Sequence, residues 1–142
     1  MRISVPSSEL EWEKYYDLRY RVLRQPWGQV RGSERNEGDL NGIHICLFQD
    51  KIPVAIARLD KSEEGVGQVR FMAVEPSFQG KGLGKLVMEE AELQAKTKNY
   101  HKIILHAREN AVEFYKKLGY ELIAPSHLLF GEIQHFLMEK SL

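Results

Sequence analysis

The stretch Val74-Glu75-Pro76-Ser77-Phe78-Gln79-Gly80-Lys81-Gly82-Leu83-Gly84-Lys85 sets three alternate glycines between segments of different periodicity. Residues 68–74 before it read as a strand that Pro76 brings to an end. After it, Leu83, Leu86, Val87, Ala91 and Ala95 recur at helical spacing. A strand turning through glycines into a helix suits an anion, because the first amides of a helix lack intrahelical partners and carry partial positive charge. Two phosphate motifs are excluded by single residues. A Walker loop requires Ser or Thr after Lys85 and finds Leu86, and a dinucleotide fingerprint counted from Gly80 requires glycine where Lys85 stands. Taken alone, the glycines fit a tight turn with close helix packing equally well.

Working outward, residues 103–106 predict a strand, and Ala111, Phe114, Tyr115 and Leu118 a helix that Gly119 closes. Residues 120–123 and 133–138 predict closing strands. Upstream, residues 43–49 and 52–60 read as antiparallel strands joined at Asp50-Lys51. Residues 2–6 predict a short first strand, and Trp12, Tyr15, Tyr16, Arg19, Val22 and Leu23 trace a helix face that ends before Pro26. Between them, residues 26–42 hold Gly28, Gly32, Gly38 and Gly42 among charged side chains, which predicts a mobile loop or short broken helix.

With 142 residues, 43% hydrophobic and 28% charged, the chain is expected to form one domain spanning 1–142. Twenty basic residues balance twenty acidic ones, so no overall field draws it to nucleic acid or an anionic membrane. No run reaches the roughly 18 apolar residues of a membrane span, and the N-terminus has no apolar leader segment. Cys46 is the single cysteine, which excludes an internal disulfide. These features lead us to expect a cytoplasmic protein.

Two segments carry a family resemblance. Gln79-x-x-Gly82-x-Gly84, preceded by Met72-Ala73-Val74-x-Pro76, resembles the coenzyme A pyrophosphate loop of the GCN5-related N-acetyltransferase (GNAT) superfamily. Downstream, Ala107-Arg108-Glu109-Asn110-Ala111-Val112-Glu113-Phe114-Tyr115 resembles that superfamily's second cofactor-contacting segment. The similarity is good over residues 43–123, and it implies a three-layer α/β fold with a mixed, mostly antiparallel sheet and helices on both faces. It further implies that the fourth and fifth strands splay apart to admit acetyl-CoA.

By the same resemblance, Met72, Ala73 and Val74 hold the pantetheine arm. The amides of Gln79, Gly80, Lys81, Gly82, Leu83 and Gly84 hold the pyrophosphate, and Lys81 or Lys85 adds charge. Tyr115 protonates the departing thiolate, a task its phenol suits with a reference pKa near 10. Many members carry asparagine where Arg108 stands, so Arg108 and Asn110 are both candidates for cofactor contact. The acceptor amine needs a base, and His106, closing a strand beside the cleft, is the first candidate. Glu34, Glu37 and Asp39 are further ones, and Glu75 is expected to face away. A backbone N–H near Val74 is the natural oxyanion donor.

The acidic residues of the 28–42 loop lean toward a cationic acceptor, although Arg31 and Arg35 dilute that argument. The five histidines show no zinc spacing, so no metal is expected. Three readings remain: transfer from acetyl-CoA to an amine, a non-catalytic acyl-CoA-binding module, and a nucleotide-phosphate binder of another fold. A homodimer is among the expected assemblies, with residues 133–138 offering an edge.

Overall fold

The apolar runs become seven strands of one sheet in the computed structural model, which describes residues 1–142. In chain order the elements are β1 (Arg2–Ser4), α1 (Glu9–Leu23), β2 (Ile43–Gln49), β3 (Ile52–Lys61) and β4 (Val66–Val74). Then come α2 (Leu83–Thr97), β5 (Lys102–Arg108), α3 (Val112–Lys117), β6 (Glu121–Leu129) and β7 (Ile133–Ser141). The sheet order is β1-β2-β3-β4-β5-β7-β6. Only β4 and β5 run parallel, which requires the crossover that α2 supplies.

Alternation along the strands divides the core in two. Tyr15, Leu18 and Leu23 of α1 pack on Cys46, Phe48, Ile56 and Ala73 on one face. Leu83, Val87, Met88, Ala91 and Ala95 of α2 pack on Ile45, Ala55, Leu59 and Leu105 on the other. Helices thus cover both faces, as expected. Cys46 is fully buried, and burial pushes its thiol up to about 12, so it acts as a core hydrophobe. At the start of α1 the Ser8 side chain accepts the Glu11 amide at 3.1 Å, a cap the sequence permits but does not force.

Two expectations need correction. Residues 133–138 offer no edge, because β7 lies between β5 and β6. The edge on that side is β6, which extends to Leu129 rather than ending at 123. Pro125 and the shifts of register around it hid this strand from periodicity, and an edge is where a sheet tolerates proline.

The loop after α1 is pinned rather than mobile. It contains short turns of tight helix at Gln25–Trp27 and Glu37–Leu40, and Asp39 holds it to the sheet. One oxygen of Asp39 accepts from Arg19 and from Arg58, each at 2.8 Å, and both arginines are fully buried. Asn36 accepts from Arg58 at 2.7 Å, and Asp60 takes the rest of that guanidinium in two bonds of 2.7 Å. Arg19 also donates to the Tyr15 hydroxyl, which bonds His44, and the second nitrogen of His44 meets the Asp39 carbonyl. Charge, rather than apolar burial, fastens this loop.

Neutralising Asp39 leaves the buried Arg19 without a counter-ion, while Arg58 keeps Asp60, and breaking a buried pair in this way costs roughly 3–5 kcal/mol. Asp39→Asn is therefore expected to lower unfolding stability by about that amount in denaturant titration. A loss under about 1 kcal/mol, the range of surface substitutions, would mean that the two guanidiniums find other partners.

Candidate active site

Gly80 and Gly82 take φ angles of +80° and +79°, conformations that favour glycine, and nothing lies within 4 Å of where a side chain would begin. Gly84 has a different reason. A β-carbon there would come within 2.9 Å of Met72 Cε and 3.0 Å of Phe114 Cζ, so α2, β4 and α3 meet at this residue. The amides from Gly80 to Lys85 make no backbone hydrogen bond, and the first to do so is Leu86, to Gly82 O at 3.4 Å. Six consecutive donors are therefore left unpaired at the start of a 15-residue helix, where its dipole is positive. Lys81 stands over the Phe78 ring, and Lys85 reaches only toward Glu89 at 3.9 Å.

Beside this loop β4 and β5 part. Their pairing runs from Val66–Lys102 to Val69–Leu105 and stops. In the pairing with β3, the register shifts so that Ala57 faces both Phe71 and Met72, and Phe71 takes φ +55°. This bulge bends β4 out of register. Glu75 donates to Val54 O at 2.8 Å, and bonded and unbonded pairs alternate in an antiparallel ladder. The next pair, Val74 with Ala55, is therefore unbonded, and the Val74 backbone groups point away from β3 into the opening. Gln79 takes up the Val74 carbonyl through its side chain at 3.3 Å. By the same alternation Met72 also points into the opening, whereas the backbone of Ala73 turns to β3 and its side chain joins the α1-face cluster.

Tyr115 is buried with Phe114 and Tyr120 against its ring, yet its hydroxyl has no hydrogen-bond partner in the protein. Burial pushes its phenol above the ordinary value, so it stays protonated. His106 is the first residue of β5 beyond the paired region. Its Nδ1 is buried with no partner. Burial, then the charges of His127 and Arg70, hold its pKa below 6.5, so the ring is neutral at neutral pH.

The other candidates are differently placed. Arg108 donates to Leu23 O at 3.0 Å, on the α1 side of the sheet rather than toward the glycine loop. Asn110 is exposed in a single turn before α3. Glu34 is buried and bonded to Arg35 and to the Gly32 amide. Burial raises the pKa of Asp39, but the Asn36 amide and the Arg19 and Arg58 guanidiniums outweigh it and hold the carboxylate below its ordinary value. Both acids are already paired within the protein, which narrows the argument for a cationic acceptor to Glu37. Glu37 stays exposed. Glu75 is gripped by both arms of Arg21, at 3.1 and 2.9 Å, consistent with its facing away. No cluster of three potential metal ligands occurs, and no helix is long and apolar enough to cross a membrane.

A sequence profile of the acetyltransferase (GNAT) domain matches residues 30–142. The chain belongs to the GNAT acetyltransferase family. Among relatives of this GNAT protein, an uncharacterized N-acetyltransferase of Bacillus subtilis (strain 168) is 26% identical, over 99% of each chain. The glucosamine 6-phosphate N-acetyltransferase of Trypanosoma brucei brucei is 36% identical over 81% of this chain and 71% of its own. In fold, an aminoglycoside 6'-N-acetyltransferase complexed with coenzyme A matches with a TM-score of 0.85 at 17% identity, over 99% of this chain and 97% of that one.

Sequence reasoning missed Phe71, Arg24, Arg70 and His135 in this GNAT chain. A bulky residue at positive φ carries no local signal, and the rest were single charged or histidine residues in unremarkable settings. Burial lowers the pKa of His44 and His135 as well as His106. The unfolded chain then binds more protons than the folded one below about pH 6.5, so stability is full above that value and is lost as pH falls through it. The thermal midpoint is expected to drop between about pH 7.5 and 5.5. A flat or rising midpoint over that window would show that the three rings protonate freely in the fold.

Proposed function

We propose that this protein transfers the acetyl group of acetyl-CoA directly to a primary amine. The observation that carries the reading is the row of six unpaired amides from Gly80 to Lys85, set beside an opening into which the Met72 and Val74 backbone groups turn. The free amides and the helix dipole suit a pyrophosphate, and the strand-like backbone of Met72 and Val74 suits the amides of pantetheine. Membership of the GNAT family and likeness to a fold neighbour crystallised with coenzyme A support the assignment.

In this reading His106, neutral and with a free buried nitrogen, takes the proton from the incoming ammonium. The amine attacks the thioester carbonyl, and the Val74 N–H donates to the oxygen that gains charge. As the carbon–sulfur bond breaks, Tyr115, protonated and without a protein partner, gives its proton to the departing thiolate, and the excess proton on the new amide nitrogen restores the phenol. Loss of the phenol proton leaves binding intact but removes general-acid help, which is typically worth about 10²-fold or more. Tyr115→Phe is expected to lower kcat by about that factor, with little change in the KM for acetyl-CoA, when thiol release is followed over a panel of amines. Wild-type protein that binds acetyl-CoA yet releases no thiol above hydrolysis would instead mark a binding module.

A further inference from the structure

The protein has nine arginines, and Arg2, Arg19, Arg21, Arg31, Arg35 and Arg58 each pair with a carboxylate. The three that do not, Arg24, Arg70 and Arg108, come together at one place. Arg24 and Arg108 donate to the same acceptor, Leu23 O, at 3.1 and 3.0 Å. Arg24 and Arg70 both lie over the Phe71 ring, at 5.5 and 5.3 Å. Arg108 stands directly opposite His135 on the neighbouring strand. His127 stacks on His135 at 4.3 Å and leans on His106 at 5.3 Å.

Like charges at such spacing repel, and a group of opposite sign between them offsets that repulsion. Burial and then neighbouring cations depress both Arg24 and Arg108. Glu34 is the one carboxylate that acts on Arg24, and Arg35 with the Gly32 amide already occupies it. The contrast with Arg19 and Arg58, which the fold neutralises with Asp39 and Asp60, is direct.

The position of the cluster says what it meets. Arg70 and His106 are the first residues of β4 and β5 past their last paired residues, Val69 and Leu105. Ile103, Leu105 and Ala107 face α2 and α3, so by strand alternation His106 and Arg108 project to the opposite side. The cluster therefore flanks the same opening as the thioester, from the side away from the glycine loop. An anion held there belongs to the second substrate rather than to the cofactor's phosphates.

We propose that the acceptor amine carries an anionic group, a phosphate or carboxylate, held by Arg24, Arg70 and Arg108 at the α1 side of the splayed strands. This rests on the acetyltransferase reading. Guanidinium bonds to such oxyanions are charge-assisted and bidentate in reach, and a cationic acceptor is repelled from the same place.

The test is an amide NMR titration of the protein saturated with coenzyme A, which covers the glycine-loop amides and leaves the arginine cluster as the remaining anion site. Four two-carbon or longer amine probes separate the classes: O-phosphoethanolamine, β-alanine, ethanolamine and putrescine. The first two are expected to give saturable shifts at Arg24, Arg108 and His135, and the comparison between them tells phosphate from carboxylate. Arg70 is exposed and makes no hydrogen bond, so Arg70→Gln is expected to fold as the parent does. Losing one charged partner should weaken binding of the anionic probe about tenfold. Equal or tighter binding of ethanolamine or putrescine, or an affinity unchanged in R70Q, overturns the proposal. Coenzyme A shifts at Gly80–Lys85 are read in the same spectra, so their absence would strike the acetyltransferase reading separately.

Discussion

The parting of β4 from β5 after Val69 and Leu105 is the constraint on which the site depends. A parallel pair that stayed zipped would use its backbone groups within the sheet. Because Phe71 bulges, the Met72 and Val74 backbone groups instead have no strand partner on that side. A phenylalanine at positive φ is strained, at a cost on the order of 1–3 kcal/mol that the surroundings must offset. Those surroundings are visible: the Arg19 and Arg58 guanidiniums lie 4.4 and 4.9 Å from the ring centre, and Arg24 and Arg70 cover it from further out. Cation–aromatic attraction of this kind favours holding the ring where the bulge places it.

The same bulge organises two kinds of charge. On one flank the arginines are closed off by Asp39 and Asp60, and they fasten the long loop after α1 to the sheet. On the other flank they are left without carboxylates. In a chain whose basic and acidic residues balance, such a local excess reflects arrangement, not composition. On the far side of the sheet, the glycine loop presents neutral amides and a helix dipole. The opening is thus lined by two positive regions that differ in chemistry, one of backbone donors and one of guanidinium and imidazole groups.

Much of the fold was legible. The helix stripe from Leu83 and the strand before Pro76 follow from periodicity, and the glycine spacing between them identifies the loop that the structure leaves with free amides. Tyr115 stood out as a candidate because its segment resembles the family's, while its unpaired hydroxyl is visible only in the structure. What local pattern could not give is long-range. Asp39 read as a candidate base in a loop because its partners are 20 and 19 residues away in the chain. Arg108 was, with Asn110, a candidate cofactor contact because the family's segment carries asparagine where it stands, and only the sheet order turns its side chain to Leu23 O. The edge role of β6 was masked by Pro125, since a strand interrupted in its alternation does not declare itself. Arg24, Arg70 and His135 are separated along the chain by tens of residues and become a group only through the order β4-β5-β7 and the docking of the end of α1 beside it.

The proposed activity requires that the amides of Gly80 to Lys85 and the splayed strands form a coenzyme A site. Thermal unfolding alone and with acetyl-CoA, coenzyme A or ATP at matched concentration tests it most directly. Ligand at a hundred times its dissociation constant stabilises the fold by about 2.7 kcal/mol, and for a domain of this size each kcal/mol raises the midpoint by about 2–6 °C. Both coenzyme A ligands are expected to raise the midpoint, and ATP is not. No shift with acetyl-CoA, or a shift with ATP alone, would contradict a coenzyme A site there.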